Sequence, residues 1–314
     1  ALQRVYVSDM RKVKEGRVTY SAMVNDDACL IDDGVVTRLG ENDYYLTTST
    51  GRAGQTAEWF RYHTRYENWD FAVVNLTDAF GAINLAGPEA RKVLEKVTDA
   101  DVSNEAFPFM GHRTFTVAGD VLVRAMRLGF VGELSYELHV PASQTVAVWE
   151  ALREAGKEFD IGPFGLEAQS TLRLEKGHVI IGQESEQRTT LHDLGMGWLW
   201  CRDKPEAKTV GDPALRQTEN QRGRLTLVGI EVPDADRAPR DGSPVVDQRI
   251  RGFVCTARYS PTLGKAVGMA LVDKPLATVG QTLAIYEDSC NGDTTAAVVA
   301  EKPFYDPDGR RMRS

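Results

Sequence analysis

The sequence is poor in the residues that usually advertise chemistry. Its four cysteines, Cys29, Cys201, Cys255 and Cys290, stand far apart with no CxxC pair. That excludes a disulfide framework and a structural zinc site, and predicts four buried or incidental thiols in a reducing, cytoplasmic compartment. The five histidines (His63, His112, His139, His178 and His192) are scattered and none is paired at i, i+4. No metal is therefore expected, and each histidine reads as structural or surface. Neither a Walker A sequence nor a GxSxG elbow occurs. Gly195-Met196-Gly197 begins like a dinucleotide fingerprint, but Trp200 stands where its third glycine belongs. A flavin or nicotinamide, if used, belongs to a partner chain or to a segment outside this sequence. No apolar run approaches the ~18 residues needed to cross a bilayer, and the early charges leave no secretory h-region. Basic excess is missing too: 37 Lys plus Arg against 45 Asp plus Glu leave a net charge of −8. That balance argues against nucleic-acid partners and anionic membranes.

What is present is an ordinary globular mix, 42% hydrophobic and 26% charged over 314 residues, with length for about two domains. Val18 to Val24, Leu30 to Val36 and Tyr44 to Thr48 read as strands. Gly54 to Tyr66 reads as a helix with Trp59, Phe60 and His63 on one side. Pro88 opens a clearer helix, in which Ala90, Val93, Leu94 and Val97 keep the i, i+3, i+4, i+7 spacing. Val121 to Phe130 and Ser135 to Val140 read as strands. Ser143 is placed to cap a helix that carries Val146, Trp149 and Leu152 and stops near Gly156. Another helix is expected from about Phe164 to Lys176, ended by Gly177. Residues 202–223 are polar and interrupted; beyond them strands dominate, at 225–232, 252–257, 266–272, 282–286 and 295–300. The fold class is α+β: a body over residues 1–205, then an all-β, barrel-like domain over residues 224–314.

Three clusters could carry chemistry. Asp32-Asp33 interrupt the apolar run Leu30-Ile31…Val35-Val36. Either they form a β-turn before Gly34, or they lie in a strand with one carboxylate inward and the other outward. A carboxylate in a cleft suits hydrogen bonding to a protonatable amine. The second cluster, Gly129 to Leu138, carries Glu133 and Glu137. Its glycines permit close approach or unusual dihedrals, and alternation sets Glu137 on the opposite face from Tyr136 and Leu138. The third is Leu172 to Gly177, where Arg173 and Lys176 also suit a helix C-terminus on electrostatic grounds alone.

In this order the clusters resemble the aminomethyltransferase family, typified by the T-protein of the glycine cleavage system. The family pattern N-E-x-G-G-x-x-D-D is matched by Asn25 to Asp33, G-Y-T-G-E-x-G-x-E-x by Gly129 to Leu138, and G-x-x-x-R-x-x-L-R-L-E-x-G by Gly165 to Gly177. Asn104 to Met110, Asp193 to Trp198, Tyr259 to Lys265 and Pro303 to Gly309 are similar to the folate-binding C-terminal half of heterotetrameric sarcosine oxidase alpha subunits. The resemblance covers essentially the whole chain.

It implies two interwoven α/β subdomains followed by a barrel-like domain, with tetrahydrofolate as the cofactor. The family's catalytic carboxylate falls on Asp33, near folate N10, and its pterin-holding carboxylate on Glu137. Phe130 stands where T-proteins have Tyr, which keeps stacking and loses a hydroxyl. Gln169 stands where they have Arg, which weakens contact with the glutamate tail; Arg173 joins these as a folate-site residue. The implied function is tetrahydrofolate-dependent one-carbon transfer within a sarcosine oxidase-like amine oxidase, with flavin and NAD in partner or missing segments and flavoprotein subunits as partners. A free-standing aminomethyltransferase or folate-dependent demethylase stays open, as does a non-catalytic folate-binding or assembly protein. The opening Ala1-Leu2-Gln3-Arg4-Val5-Tyr6 reads as the end of a helix already under way, so a larger polypeptide is expected.

Overall fold

Strands rich in apolar side chains build three sheets among the described residues of the computed structural model, namely 1–186, 188–204, 208–233, 238–287, 292 and 294–314. Cys290, Pro205 and Glu206 lie outside that set. The helices are α1 (Leu2–Val5), α2 (Ala53–Thr64), α3 (Ala90–Glu95), α4 (Thr145–Ala155), α5 (Leu166–Glu175) and α6 (Asp212–Thr218). The strands of the first half are β1 (Val18–Val24), β2 (Leu30–Arg38), β3 (Tyr44–Leu46), β4 (Phe80–Ala86), β5 (Gly111–Val117), β6 (Val121–Arg127) and β7 (Ser135–Pro141). Those of the second half are β8 (Leu225–Val232), β9 (Pro244–Val246), β10 (Ile250–Ser260), β11 (Lys265–Asp273), β12 (Thr282–Tyr286) and β13 (Thr294–Ala300). No helix among the described residues is long and apolar enough to cross a membrane.

Two compact units emerge, and neither is continuous in sequence. One comprises residues 1–10, 21–33 and 167–307; the other comprises residues 11–20, 34–166 and 308–314. β1 and β2, consecutive in the three-stranded order β1-β2-β3, each pass from one unit into the other. Asp33 is the last residue of the first unit on β2, and Gly34 the first of the second.

The second unit is built on the four-stranded sheet β4-β7-β6-β5. One face is apolar: Ile83 and Leu85 pair with Leu138 and Tyr136, and these join Val123, Ala125 and Val140 in a core covered by α3 and α4. Each aliphatic side chain buried there contributes about 1.5–3 kcal/mol. α4 differs from the sequence expectation. Its buried stripe is Val148 and Leu152, while Val146 and Trp149 are 68% and 41% exposed. Val148 and Leu152 are an i, i+4 pair and so share one face; Ser143 falls in the 3₁₀ turn Ala142–Gln144 that precedes the helix and makes no cap.

In the first unit β8 to β13 close into an antiparallel barrel in the order β10-β11-β8-β13-β12-β9. Closure removes the unpaired edges that an open sheet would present. Val228, Ile230, Val254, Ala270, Leu283, Ile285 and Val299 fill its core. α5 ends against this barrel: the Ser260 hydroxyl donates to Glu175 Oε1 at 2.6 Å. α6 falls within the stretch that reads as merely polar, and its Pro213 occupies a first-turn position where no N–H is needed.

Candidate functional site

The polar face of the four-stranded sheet, opposite the core, follows from register. Glu137 pairs with Asn84 and Met126, and Met126 pairs with His112; His139 pairs with Ala82 and Arg124. Paired residues in an antiparallel ladder share a face, and so do residues two apart along one strand. Glu137, His139, Arg124, Met126, His112 and Asn84 therefore line one surface. Tyr136 and Leu138, both fully buried, point the other way.

Polar contacts organise this surface. The Tyr45 hydroxyl lies 2.7 Å from His139 Nδ1. His139 Nε2 lies 3.7 Å from Glu137 Oε2, within ion-pair range, and the Glu137 side chain keeps 29% of its exposure. The Arg124 guanidinium sits 4.8 Å from the Tyr45 ring centroid and 5.1 Å from that of Phe80. Burial raises the Tyr45 phenol above its usual range, against the opposing pull of Arg124, so the phenol holds its proton at neutral pH. Phe130 is half-buried in the loop that leads into β7. Gly132 takes φ +84° in that loop, and Gly129 lies so close to the Glu133 carbonyl that a Cβ would sit 2.8 Å from its oxygen.

His112, on the same face, has a buried Nε2 with no hydrogen-bond partner among the described residues. Burial, reinforced by Arg124 and His139, lowers its pKa from 6.5 to about 4. The unfolded chain therefore binds more protons than the folded chain between these values, so this residue's effect is complete stability above pH 6.5 that is lost as pH falls toward 4. Partial solvent screening reduces the effect to about 1 kcal/mol. His112→Leu is expected to flatten the acid side of the stability profile by that amount, as read by urea unfolding at pH 7 and pH 4.5; an unchanged slope would contradict it.

The other candidate residues lie in the first unit. β2 runs straight through the acid pair, so the strand reading holds and the β-turn reading does not. Asp32 is completely buried, and Asp33 is half-exposed on the opposite face. Gly34 has to be glycine: a Cβ there would sit 2.0 Å from the Thr47 carbonyl oxygen. Gln169 is half-buried on α5. Arg173 is 1% exposed, and its Nη1 donates to Glu184 Oε2 at 2.8 Å and to the His178 carbonyl at 2.9 Å. Burial raises the Glu184 carboxyl, with Arg173 pulling the other way. Arg173 thus faces a buried carboxylate rather than open space.

Asp33, Gln169 and Arg173 fall in one unit and Phe130 and Glu137 in the other. Sequence reasoning missed Tyr45, Arg124 and His139. His139, read from the sequence as structural or surface, stands two residues beyond Glu137 on an alternating strand and lies 3.7 Å from that carboxylate. Tyr45 reaches it from 94 residues away, which no local pattern shows.

Comparison with known proteins gives the family and the fold. Residues 1–204 match the GCVT N-terminal domain, and residues 226–306 the glycine cleavage T-protein C-terminal barrel domain. A sarcosine oxidase subunit alpha from Corynebacterium sp. (strain P-1) is 32% identical over 99% of the chain and 33% of its own length. An aminomethyltransferase from Halothermothrix orenii is 33% identical over 91% of the chain and 78% of its own length. The chain therefore spans about a third of the sarcosine oxidase relatives it matches. The glycine cleavage system aminomethyltransferase T from Bartonella henselae has the same fold, with a TM-score of 0.84 at 24% identity over 98% of this chain and 81% of its own.

Proposed function

Since the chain belongs to the glycine cleavage T-protein family, we propose that it is the tetrahydrofolate-dependent one-carbon transfer part of an N-methyl amine oxidase. The body over residues 1–205 and the barrel over residues 224–314 are its two sequence domains. The observation that supports the reading is Glu137, a partly exposed carboxylate 3.7 Å from His139 Nε2, which the family resemblance assigns to the pterin ring.

The residues fit such a ligand. A carboxylate accepts only, and a pterin edge offers an amino group and a ring N–H, so two parallel charge-assisted bonds can form. Phe130 offers a ring face for stacking. Bound tetrahydrofolate would supply the nitrogen nucleophiles that take up a one-carbon unit at the oxidation level of formaldehyde, giving 5,10-methylenetetrahydrofolate. Asp33 is assigned to the N10 region, where a carboxylate orients the amine and accepts its proton. The iminium carbon would come from oxidation of an N-methyl amine in a flavoprotein partner, and the amine is chosen there. Phe130 and Gln169, which depart from the T-protein pattern, favour the oxidase subgroup over a free-standing aminomethyltransferase.

Glu137→Gln places an amide N–H against ligand donors. It is expected to raise the tetrahydrofolate Kd at least about tenfold in a fluorescence titration, with the fold unchanged. An unchanged Kd would overturn the reading.

A further inference from the structure

We propose that Tyr45 and His139 are positioning residues for Glu137: a phenol–imidazole–carboxylate relay from β3 to β7 that aims the carboxylate at a ligand edge bearing two N–H donors. The inference rests on the reading of Glu137 as the pterin ligand, and adds what holds that carboxylate in place.

The geometry selects one arrangement of protons. The His139 side chain is 10% exposed, with Tyr45 on its Nδ1 side at 2.7 Å and Glu137 on its Nε2 side at 3.7 Å. A neutral ring with its proton on Nδ1 would turn the Nε2 lone pair toward a carboxylate oxygen, which is repulsive. With the proton on Nε2, the Tyr45 O–H donates to Nδ1 and the Nε2–H faces Glu137. If the ring gains a second proton, Nδ1–H donates to the phenol oxygen and Nε2–H still faces Glu137. Both states present the same donor to the same oxygen.

The surroundings hold this orientation. The Tyr45 and His139 rings meet edge-on at 5.4 Å and 76°, and Tyr45 meets Phe80 at 6.1 Å and 71°. Arg124 lies over both aromatic rings. The charged and titratable groups facing His139 are thus Glu137 on its own strand, Arg124 on β6, His112 on β5 and Tyr45 on β3. A distance of 3.7 Å is longer than a hydrogen bond, and such contacts tighten when a ligand draws the carboxylate into line. With one carboxylate oxygen engaged by Nε2–H, Glu137 loses rotameric freedom and its free lone pairs face outward.

The test uses the full chain, tetrahydrofolate and the 2-deaminated analogue of tetrahydrofolate. Long-range ¹H–¹⁵N spectra of histidine-labelled protein are expected to show the Nε2–H form for His139, and Tyr45→Phe to populate both tautomers. His139→Leu is expected to weaken tetrahydrofolate about tenfold, but the deaminated analogue by less than about threefold. His139→Gln, which restores an N–H donor, is expected to recover part of the loss. An Nδ1–H tautomer in the unaltered protein overturns the relay and needs no variant. Equal weakening of both ligands by His139→Leu, or weakening of neither, also overturns it while Glu137→Gln remains damaging. If Glu137→Gln itself changes neither ligand, the pterin reading of Glu137 falls and takes the relay with it.

Discussion

In the oxidase assembly proposed above, Asp33→Asn is expected to slow folate-dependent product formation by about 10²–10⁴-fold, while amine oxidation by the proposed flavin partner persists. The substitution is isosteric and removes only the capacity to accept a proton as a carboxylate. The fold should tolerate it, because Asp33 is half-exposed on β2, whereas its neighbour Asp32 is completely buried. The tetrahydrofolate Kd should change by less than about threefold, since the pterin is assigned to Glu137 and proton transfer contributes to the transition state rather than to binding. Parallel assays of oxygen or dye reduction and of 5,10-methylenetetrahydrofolate separate the two activities. Equal loss of both would remove Asp33 from its catalytic role, and loss of neither would leave it without one.

Arg173→Met should destabilise the chain by about 3–5 kcal/mol at pH 8. The mechanism is the charge left behind. The Glu184 side chain is completely buried, accepts from Arg173 and also from the Ile180 backbone N–H at 2.6 Å. Methionine fills much of the volume of arginine but supplies no donor. Burial already pushes the Glu184 carboxyl upward and Arg173 opposes it. Without Arg173, the carboxyl takes up a proton at a higher pH, so the destabilisation should shrink as pH is lowered toward 5. The double variant Arg173→Met/Glu184→Gln keeps an acceptor for the Ile180 N–H and should recover more than half of the loss. Urea unfolding of Arg173→Met, Glu184→Gln and the double variant beside the unaltered chain measures this cycle; simple additivity would show that the pair is not coupled. Through Nη1, Arg173 joins α5 to the loop around Glu184.

How much of this was legible in the sequence differs by element, for physical reasons. β8 and β12 stand at the residues their apolar patterns mark: β12 alternates between core and surface, and β8 buries Leu227 to Ile230 in succession. β4, β5 and β9 were not read from the sequence: β4 is interrupted by Gly81 and Asn84, and β9 is three residues long. The face of Glu137 followed from alternation alone. The identity of the acid pair as strand did not, because Asp-Asp-Gly is also turn chemistry and only the place of β2 between β1 and β3 decides between them. Arg173 looked like a helix-end cation or a ligand contact. Its partner Glu184 is eleven residues on, beyond the helix, at a spacing that no helical rule connects. The relay behind Glu137 joins β3 to β7 and exists only in the folded chain.

The proposed function requires that this chain hold tetrahydrofolate. Calorimetric titration of the purified chain with tetrahydrofolate tests it most directly. Saturable binding of one ligand per chain is expected, lost or strongly weakened in Glu137→Gln. Absence of saturable binding up to millimolar tetrahydrofolate in the folded protein would contradict it.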